Sequence, residues 1–243
     1  MKNKINVVIT SGGTSEPIDN VRKITNSSSG KLGCTIAEEL LKLNNLDKIY
    51  YICSKTSYKP ISDKVKVIEI VSTNNLKKSV EELLINENID YFIHSMAVSD
   101  YTVDYVTTAS RLAKTIDNSN ESTEISIKNN TDNIKDTKIS SYEDNLIIKL
   151  KPTPKIINII KSISPNTYLV GFKLLDNVSD KELIDVACKL KVKNKCNLVV
   201  ANDLSNIRSG KHKAFIIKDK NSYIIAKDKN DIAKKLVKEM IND

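Results

Sequence analysis

The stretch INVVITSGGTSEPIDNVRKITNSSSGKLG, residues 5–33, decides the fold. It opens with an apolar strand over residues 5–9 and leads into a helix. Four of the chain's six glycines fall inside it: Gly12, Gly13, Gly30 and Gly33. Glycine is needed where φ is positive or where a ligand approaches the backbone closely, so this spacing predicts a phosphate-binding loop. The alternative is an ordinary strand-to-helix connection, although about twenty residues exceeds the usual two to six.

The residues that follow alternate between helical and strand patterns. An amphipathic helix begins near Lys31, and residues 5–96 give the order β-α-β-β-α-β, which indicates a largely parallel sheet. Further strands and helices follow from Leu146 onward, and Thr153-Pro154 predicts a helix start with threonine as the N-cap. We therefore expect a single α/β domain over residues 1–243, with a Rossmann-like, mostly parallel sheet and helices on both faces.

One segment interrupts this pattern. Residues 102–142 are rich in Asn, Ser, Thr, Asp and Lys, contain no glycine or proline, and show one clear alternation, Ile125-Ser126-Ile127. Such a composition carries too little apolar content for a core of its own and predicts a mobile inserted flap. For the first half of the segment, a solvated insertion without a function is an equally good interpretation.

Composition excludes several classes of function. The net charge is +8, but only three of the 38 basic residues are arginine. With no tryptophan and three phenylalanines, few side chains are available to stack on bases. The chain therefore favours anionic small molecules over nucleic acid. We expect no membrane partner, because no run of eighteen apolar residues exists. The N-terminus lacks a signal-peptide pattern and the four cysteines are scattered, so a cytoplasmic protein is expected. Two histidines without paired spacing argue against zinc.

Polar residues follow the predicted strands at their carboxyl ends, where open parallel sheets bind ligands. These ends are the glycine stretch and residues 96–100, 171–173 and 201–203. Asp100 and Asp203 are also typical turn residues, so either one taken alone is more often a turn residue than a metal ligand.

Spacing alone does not identify the nucleotide. The glycine stretch is not a Gly-x-x-x-x-Gly-Lys-Ser/Thr motif, and Cys53-Ser54-Lys55 stands where a dinucleotide-binding fold places an acidic residue. An NAD(P)-dependent Rossmann-type reductase is nevertheless the alternative function, because the same fold would serve it. A non-catalytic nucleotide-binding or nucleic-acid module is the third, supported only by charge.

Several motifs resemble those of the phosphopantothenate–cysteine ligase family. They are residues 12–19, 21–33, 97–101, 138–141, 153–156, 170–172 and 200–203, which occur in the family's order along nearly the whole chain. Many bacterial members are fused behind a flavin-dependent decarboxylase. Because the ligase strand begins here at residue 5, we expect the stand-alone type, with the decarboxylase as a separate partner in the pathway.

The resemblance implies a two-step reaction of coenzyme A biosynthesis. The carboxylate of 4'-phosphopantothenate attacks the α-phosphate of CTP, giving an acyl-cytidylate and pyrophosphate. The amine of L-cysteine then displaces CMP and forms the amide of 4'-phosphopantothenoylcysteine. The family also implies Mg²⁺, a homodimer with sites near the subunit interface, and ATP as the less favoured nucleotide.

Site residues follow from the resemblance position by position. It implies catalytic roles for Asn26, Arg22 and Lys138; nucleotide contacts from Gly12, Gly13, Ser28, Gly30, Ala97, Asp100, Pro154, Lys155, Ile156, Ile157, Phe172, Lys189 and Lys193; substrate contacts from Arg22, Asn26 and Asn202; and Asp100 as a metal ligand. Two departures from the family pattern matter. The flap is longer than in fused members, which leaves Lys135 as an alternative to Lys138, and Lys155 stands where fused members carry an acidic residue.

Overall fold

The computed structural model describes residues 4–242. Over that range the strands are β1 (Ile5–Ser11), β2 (Ser15–Pro17), β3 (Lys23–Thr25), β4 (Leu46–Ser54), β5 (Val65–Ile70), β6 (Tyr91–His94), β7 (Tyr101–Thr108), β8 (Leu146–Pro152), β9 (Tyr168–Leu175), β10 (Leu198–Asp203), β11 (Ala214–Ile217) and β12 (Tyr223–Ala226). The helices are α1 (Lys31–Leu40), α2 (Thr73–Asn86), α3 (Ala109–Asp117), α4 (Thr123–Lys128), α5 (Ile156–Ile163), α6 (Asp180–Asn194), α7 (Leu204–Arg208) and α8 (Lys229–Asn242).

An eight-stranded sheet forms the centre, in the order β12-β11-β10-β9-β6-β1-β4-β5. The run from β10 to β5 is parallel, while β11 and β12 add an antiparallel hairpin at one edge. The chain winds outward from β1 to β5 and then returns to β6 on the other side of β1. The strand order therefore reverses between β1 and β6, which is where open α/β sheets bind ligands. The predicted Rossmann-like α/β fold is confirmed.

Helices cover both faces of this sheet because successive strand residues point to opposite sides. In β1, Val7 and Ile9 pack toward α1 and α8, whereas Val8 packs toward α2, α5 and α6. All three side chains are fully buried. Within residues 4–242, no helix has the length and hydropathy needed to cross a bilayer.

The segment predicted as a mobile flap has regular structure. It begins with β7, which pairs antiparallel with β8 in a separate two-stranded sheet, and α3 and α4 lie between these strands. Residues 125–127, whose alternation suggested a strand, lie in α4. The Tyr105 hydroxyl donates to the Ile127 carbonyl at 2.6 Å, and Thr107 Oγ1 donates to the Asp132 carbonyl at 2.8 Å. These bonds connect β7 to residues 127 and 132 of the same segment, next to the buried side chains of Tyr105 and Val106.

Helix α5 begins at Ile156, two residues after the predicted proline start. Thr153 does not cap this helix, because its hydroxyl donates to the Ser99 carbonyl at 2.5 Å and its N–H donates to the Asp100 carbonyl at 3.0 Å. Those two bonds fasten the entry of α5 to the loop after β6. The prediction of a threonine N-cap is wrong for this reason.

Candidate active site

A cavity of about 550 Å³ opens at the carboxyl edge of the sheet, at the reversal between β1 and β6. Its walls include residues 27–33, 94–100, 153–157 and 172–174, together with Asn202. These segments are the strand ends and the helix starts that the sequence pattern brought together. The cavity is large enough for a drug-sized or nucleotide-sized ligand.

The glycine stretch contains a short β-hairpin and is not the open loop that its length suggested. Strands β2 and β3 pair antiparallel within it. Gly13 bridges to Ala97, the Thr14 N–H donates to the Ala97 carbonyl at 3.1 Å, and the Asn26 N–H donates to the Thr14 carbonyl at 3.0 Å. Residues 12–14 are therefore held from both sides.

The first two glycines pack against protein atoms. A Cβ on Gly12 would lie 1.9 Å from Ser57 Oγ, and one on Gly13 would lie 1.8 Å from the Asn26 carbonyl oxygen. Neither glycine lines the cavity. The predicted nucleotide contacts at Gly12 and Gly13 stay predictions, while their surroundings show a packing reason for glycine.

Helix α1 points its N-terminus into the cavity. Gly30, the N-cap, has a φ of 72° and no side chain to cap the helix, and Ser29 Oγ accepts from the Lys31 N–H at 3.4 Å. Gly33 lets the first turn approach β1, since a Cβ there would lie 2.3 Å from Ser11 Oγ. The remaining free N–H groups of the first turn and the positive end of the helix dipole favour an anion next to Ser28 and Gly30.

Three basic side chains meet at the same end of the cavity: Lys31, His212 and Lys229. Burial lowers the pKa of His212, Lys229 and Lys31 lower it further, and the nearby carboxylate of Asp228 opposes them. Burial and the charge of Lys31 lower the pKa of Lys229. Among the described residues no carboxylate forms an ion pair with Lys31 or Lys229. Two lysines without an ion-pair partner among the described residues, Lys31 and Lys229, favour a polyanionic ligand in this cavity.

The carboxyl end of β10 supplies an amide. Asn202 is 8% exposed and lines the cavity, and its side chain has no hydrogen-bond partner within residues 4–242. The next residue, Asp203, is held in place by Ser205 Oγ at 2.6 Å and by the N–H groups of Val178 and Asn177 at 2.9 and 3.2 Å. These bonds lower the pKa of Asp203 to about 2, the Ser205 hydroxyl most strongly. Asp203 is a structural carboxylate that fixes the end of β10.

Asp100 lies at the exposed rim of the cavity, and its carboxylate forms an ion pair with Lys155. The part of the chain that the structure describes contains no group of three or more His, Cys, Asp or Glu side chains that could hold a metal ion. Asp100 as a metal ligand stays a prediction, since Mg²⁺ often takes only one or two carboxylates together with substrate phosphates.

Arg22 anchors the inserted segment. Its guanidinium donates to Asp19 Oδ2 at 3.0 and 2.7 Å and to the Ile139 carbonyl at 2.5 Å. Asp19 Oδ2 also accepts from the Ile139 N–H at 3.1 Å. The donors around Asp19, led by the Arg22 N–H, hold the pKa of its carboxyl well below the usual range. Arg22 therefore has internal partners and does not line the cavity.

The two flap lysines have different surroundings, although both are exposed. Lys138 lies between Thr137, whose carbonyl accepts from the Asn20 N–H at 2.9 Å, and the Ile139 contacts to Asp19. Lys135 instead follows Ile134, whose N–H donates to the Val106 carbonyl of β7 at 2.8 Å. Lys138 is thus fastened to the turn of the glycine hairpin.

The structure brings together more than half of the predicted site. The predicted residues that line the cavity are Ser28, Gly30, Ala97, Asp100, Pro154, Lys155, Ile156, Ile157, Phe172 and Asn202. Those that do not are Gly12, Gly13, Arg22, Asn26, Lys138, Lys189 and Lys193. On α6 the cavity contacts Leu190, and the exposed Lys189 and Lys193 lie outside its lining.

Among the polar cavity residues that sequence reasoning did not assign to the site are Lys31, His94, His212 and Lys229. His94 ends β6 and Lys31 starts α1, so strand and helix ends were a usable signal for both. His212 and Lys229 precede β11 and start α8, and nothing local in the sequence relates them to the glycine stretch.

A parallel core, a glycine-rich entry into α1 and a basic cluster define the class: a Rossmann-like α/β protein with a site for an anionic ligand. A model of the family described as DNA/pantothenate metabolism flavoprotein, C-terminal domain, matches residues 2–136 and 105–242. The chain belongs to this family, and the resemblance drawn from its motifs is confirmed.

Individual relatives agree with this assignment. The coenzyme A biosynthesis bifunctional protein CoaBC of Thermococcus kodakarensis is 32% identical over 211 residues, which cover 87% of this chain and 44% of the relative. The chain spans about half the length of the curated relatives it matches.

Solved structures share the fold. The DNA/pantothenate metabolism flavoprotein from Streptococcus pneumoniae superposes with a TM-score of 0.84 at 36% identity, covering 98% of this chain and 99% of that one. A mutant of Cab2 in complex with phosphopantothenate-cysteine has a TM-score of 0.69 at 19% identity, covering 99% of this chain and 86% of Cab2.

Proposed function

We propose that the protein is a phosphopantothenate–cysteine ligase that activates 4'-phosphopantothenate with CTP and then joins it to L-cysteine. The observation that carries the proposal is the basic cluster of Lys31, His212 and Lys229 beside the N-terminus of α1, where neither lysine has an ion-pair partner among the described residues. Such an end suits a triphosphate. The name of the relatives refers to coenzyme A biosynthesis, and Cab2, a protein of the same fold, has been solved with phosphopantothenate-cysteine.

The cavity has two chemically different ends, which supports an orientation for the nucleotide. The end beside α1 and α8 is basic, whereas the end beside α5 and α6 is lined by Ile156, Ile157 and Leu190. In the proposed complex the phosphates lie at the basic end and the base lies at the apolar end. A reaction of this kind depends on positioning and charge neutralisation more than on covalent help from the protein.

Two side-chain amides lie next to the reacting groups in this scheme. Asn202 enters the cavity without a protein partner, and the Asn26 side chain likewise has none within residues 4–242. An amide can bind a carbonyl or phosphate oxygen without adding charge. Asn26 is the group that we assign to the acyl-cytidylate and its conversion, while Asn202 contacts the substrate.

The basic residues outside the cavity have supporting roles in the proposal. Lys138, on the turn fastened to the glycine hairpin, approaches the triphosphate from the flap. Arg22 carries a substrate role, and its contacts to Asp19 and Ile139 set the position of that turn. Lys189 and Lys193 are assigned to the nucleotide from the exposed side of α6.

In the proposal Mg²⁺ binds together with the nucleotide, whose phosphates supply most of its ligands. Asp100, which pairs with Lys155, is the one carboxylate assigned to the metal. The metal would neutralise triphosphate charge. The Lys155 side chain, paired with Asp100, stands near the ribose in this arrangement. CTP is the proposed nucleotide and ATP the weaker alternative. We further propose a cytoplasmic homodimer whose product passes to a separate decarboxylase in the pathway.

The test is pyrophosphate release by the purified protein with 4'-phosphopantothenate and Mg²⁺, with CTP or ATP, and with or without L-cysteine. We expect release with CTP, slower release with ATP, and multiple turnovers only when cysteine is present. Omission of 4'-phosphopantothenate is the control for nucleotide hydrolysis. An absence of release with both nucleotides contradicts the proposed function.

A further inference from the structure

His94 is a buried polar side chain of the cavity to which the proposed reaction gives no role. It ends β6, lies opposite Thr10 of β1 and Gly171 of β9, and is 9% exposed. Its Nδ1 lies 2.8 Å from Thr10 Oγ1. Its Nε2 has no hydrogen-bond partner among the described residues. Within them the sole fully enclosed side-chain polar atom without a partner is Asn194 Oδ1, so Nε2 opens to the cavity.

The contacts of Thr10 favour one ring nitrogen as the position of the proton. Thr10 is fully buried, and its hydroxyl oxygen already accepts from the Met96 N–H at 3.4 Å. A hydroxyl has one proton to donate, and His94 Nδ1 is the one acceptor within its reach in residues 4–242. We therefore assign Nδ1 as the acceptor, which puts the proton of the neutral ring on Nε2. Burial lowers the pKa of His94 to about 4, which keeps the ring neutral at pH 7.

The surroundings of Nε2 select an uncharged partner. Because Gly171 has no side chain, Ile157 and Leu190 approach within 3.3 and 3.0 Å of the place where its Cβ would be. The centre of the Phe92 ring lies 6.2 Å from that of the imidazole, on the same face of the sheet. The basic cluster belongs to the other end of the cavity, near α1 and α8. An apolar wall with one neutral donor suits a planar heterocycle better than a phosphate.

We infer that His94 recognises the base of the nucleotide by donating a hydrogen bond from Nε2–H to a ring nitrogen or carbonyl oxygen of that base. The inference rests on the proposed function, because it needs a nucleoside triphosphate in the cavity. Thr10 is then a positioning residue, which acts through the tautomer of His94. The pair determines specificity, since a base that presents a donor at this point leaves two donors facing each other.

The experiment compares binding of CTP with binding of inorganic tripolyphosphate, which has no base, by titration calorimetry. His94→Leu replaces the imidazole with an apolar side chain of similar length and so removes the donor. We expect CTP affinity to fall roughly tenfold, as for a lost hydrogen bond to an enclosed acceptor, while tripolyphosphate binding stays unchanged. Tripolyphosphate binding and the thermal midpoint also show that the variant is folded.

Thr10 provides a matched pair of variants. Thr10→Val removes the hydroxyl and should weaken CTP severalfold, whereas Thr10→Ser keeps the hydroxyl and should bind like the wild type. ¹⁵N NMR of the imidazole gives an independent reading, because it distinguishes the two tautomers. We expect Nε2–H in the wild type and in Thr10→Ser, and a mixture in Thr10→Val.

Three results would overturn the inference: unchanged CTP affinity in His94→Leu, equal weakening of CTP and tripolyphosphate, or an Nδ1–H ring in the wild type. A wild-type protein that binds no CTP would instead contradict the proposed function. The two failures are therefore distinguishable.

Discussion

Gly13→Ala is the substitution that most directly connects the packing of the glycine hairpin to catalysis. The added Cβ would lie 1.8 Å from the Asn26 carbonyl oxygen and 3.0 Å from its carbonyl carbon. Both are backbone atoms, so no side-chain rotation relieves the clash. Restoring even a 3.0 Å contact needs a shift of about 1.2 Å, because close-packed atoms do not interpenetrate.

Asn26 is the partner that must move. On the other side, Gly13 is bridged to Ala97, and the Ala97 N–H donates to the Gly12 carbonyl at 2.8 Å. Misplacing a catalytic group by about 1 Å can cost roughly a hundredfold in rate, which corresponds to about 2.7 kcal/mol. Overpacking should also lower the free energy of unfolding by about 1–3 kcal/mol.

The assay is steady-state pyrophosphate release, with thermal unfolding measured on the same samples. We expect kcat to fall roughly a hundredfold while the protein stays folded at room temperature. Gly210→Ala is the control for the glycine-to-alanine substitution as such. A Cβ there would have no atom of the described residues within 4 Å, and φ is positive at 79°. It should lose some stability and little activity. A Gly13→Ala enzyme that turns over about as fast as the wild type would refute the reasoning.

Three further predictions concern the polar residues. Asn26→Asp should retain CTP binding but lose product, because a carboxylate repels the phosphate and acyl oxygens to which the amide NH₂ donates; unchanged turnover would remove Asn26 from the reaction. Lys138→Gln should reduce pyrophosphate release more than Lys135→Gln does, since Lys138 is fastened to the hairpin turn, and the reverse order would favour Lys135. Folding lowers the pKa of Asp203 to about 2, below its value in the unfolded chain. The ionised carboxylate therefore stabilises the folded protein above the unfolded pKa, and this contribution is lost as pH falls through about 4 to 2. The stability advantage of wild type over Asp203→Asn, from urea unfolding, should therefore shrink across that range, and a constant difference would contradict the assignment.

Local patterns determined much of the fold in advance. The alternation of apolar strands with amphipathic helices predicted the parallel sheet, because periods of 2 and 3.6 residues are visible within one segment. The rule that ligands bind at strand carboxyl ends then placed Ser28, Ala97, Asp100 and Asn202 at one site, and all four line the cavity.

The features that the sequence did not predict depend on contacts between segments that are far apart in the chain. Strand β7 pairs with β8 across nearly forty residues, so a polar sequence such as 102–142 gave no local sign of a hairpin. Thr153 looked like a helix cap until its bonds to Ser99 and Asp100 were known. His212 and Lys229 join Lys31 only through packing of α8 against the sheet, which no sequence spacing reports.

The central claim is that a carboxylate is activated by the α-phosphate of CTP. It is tested most directly with 4'-phosphopantothenate labelled with ¹⁸O in its carboxylate, incubated with CTP, Mg²⁺ and L-cysteine. Attack on the α-phosphate followed by amine displacement leaves one labelled oxygen on CMP and one in the amide, and mass spectrometry should find this distribution. Unlabelled CMP, or label in the pyrophosphate, would contradict the account.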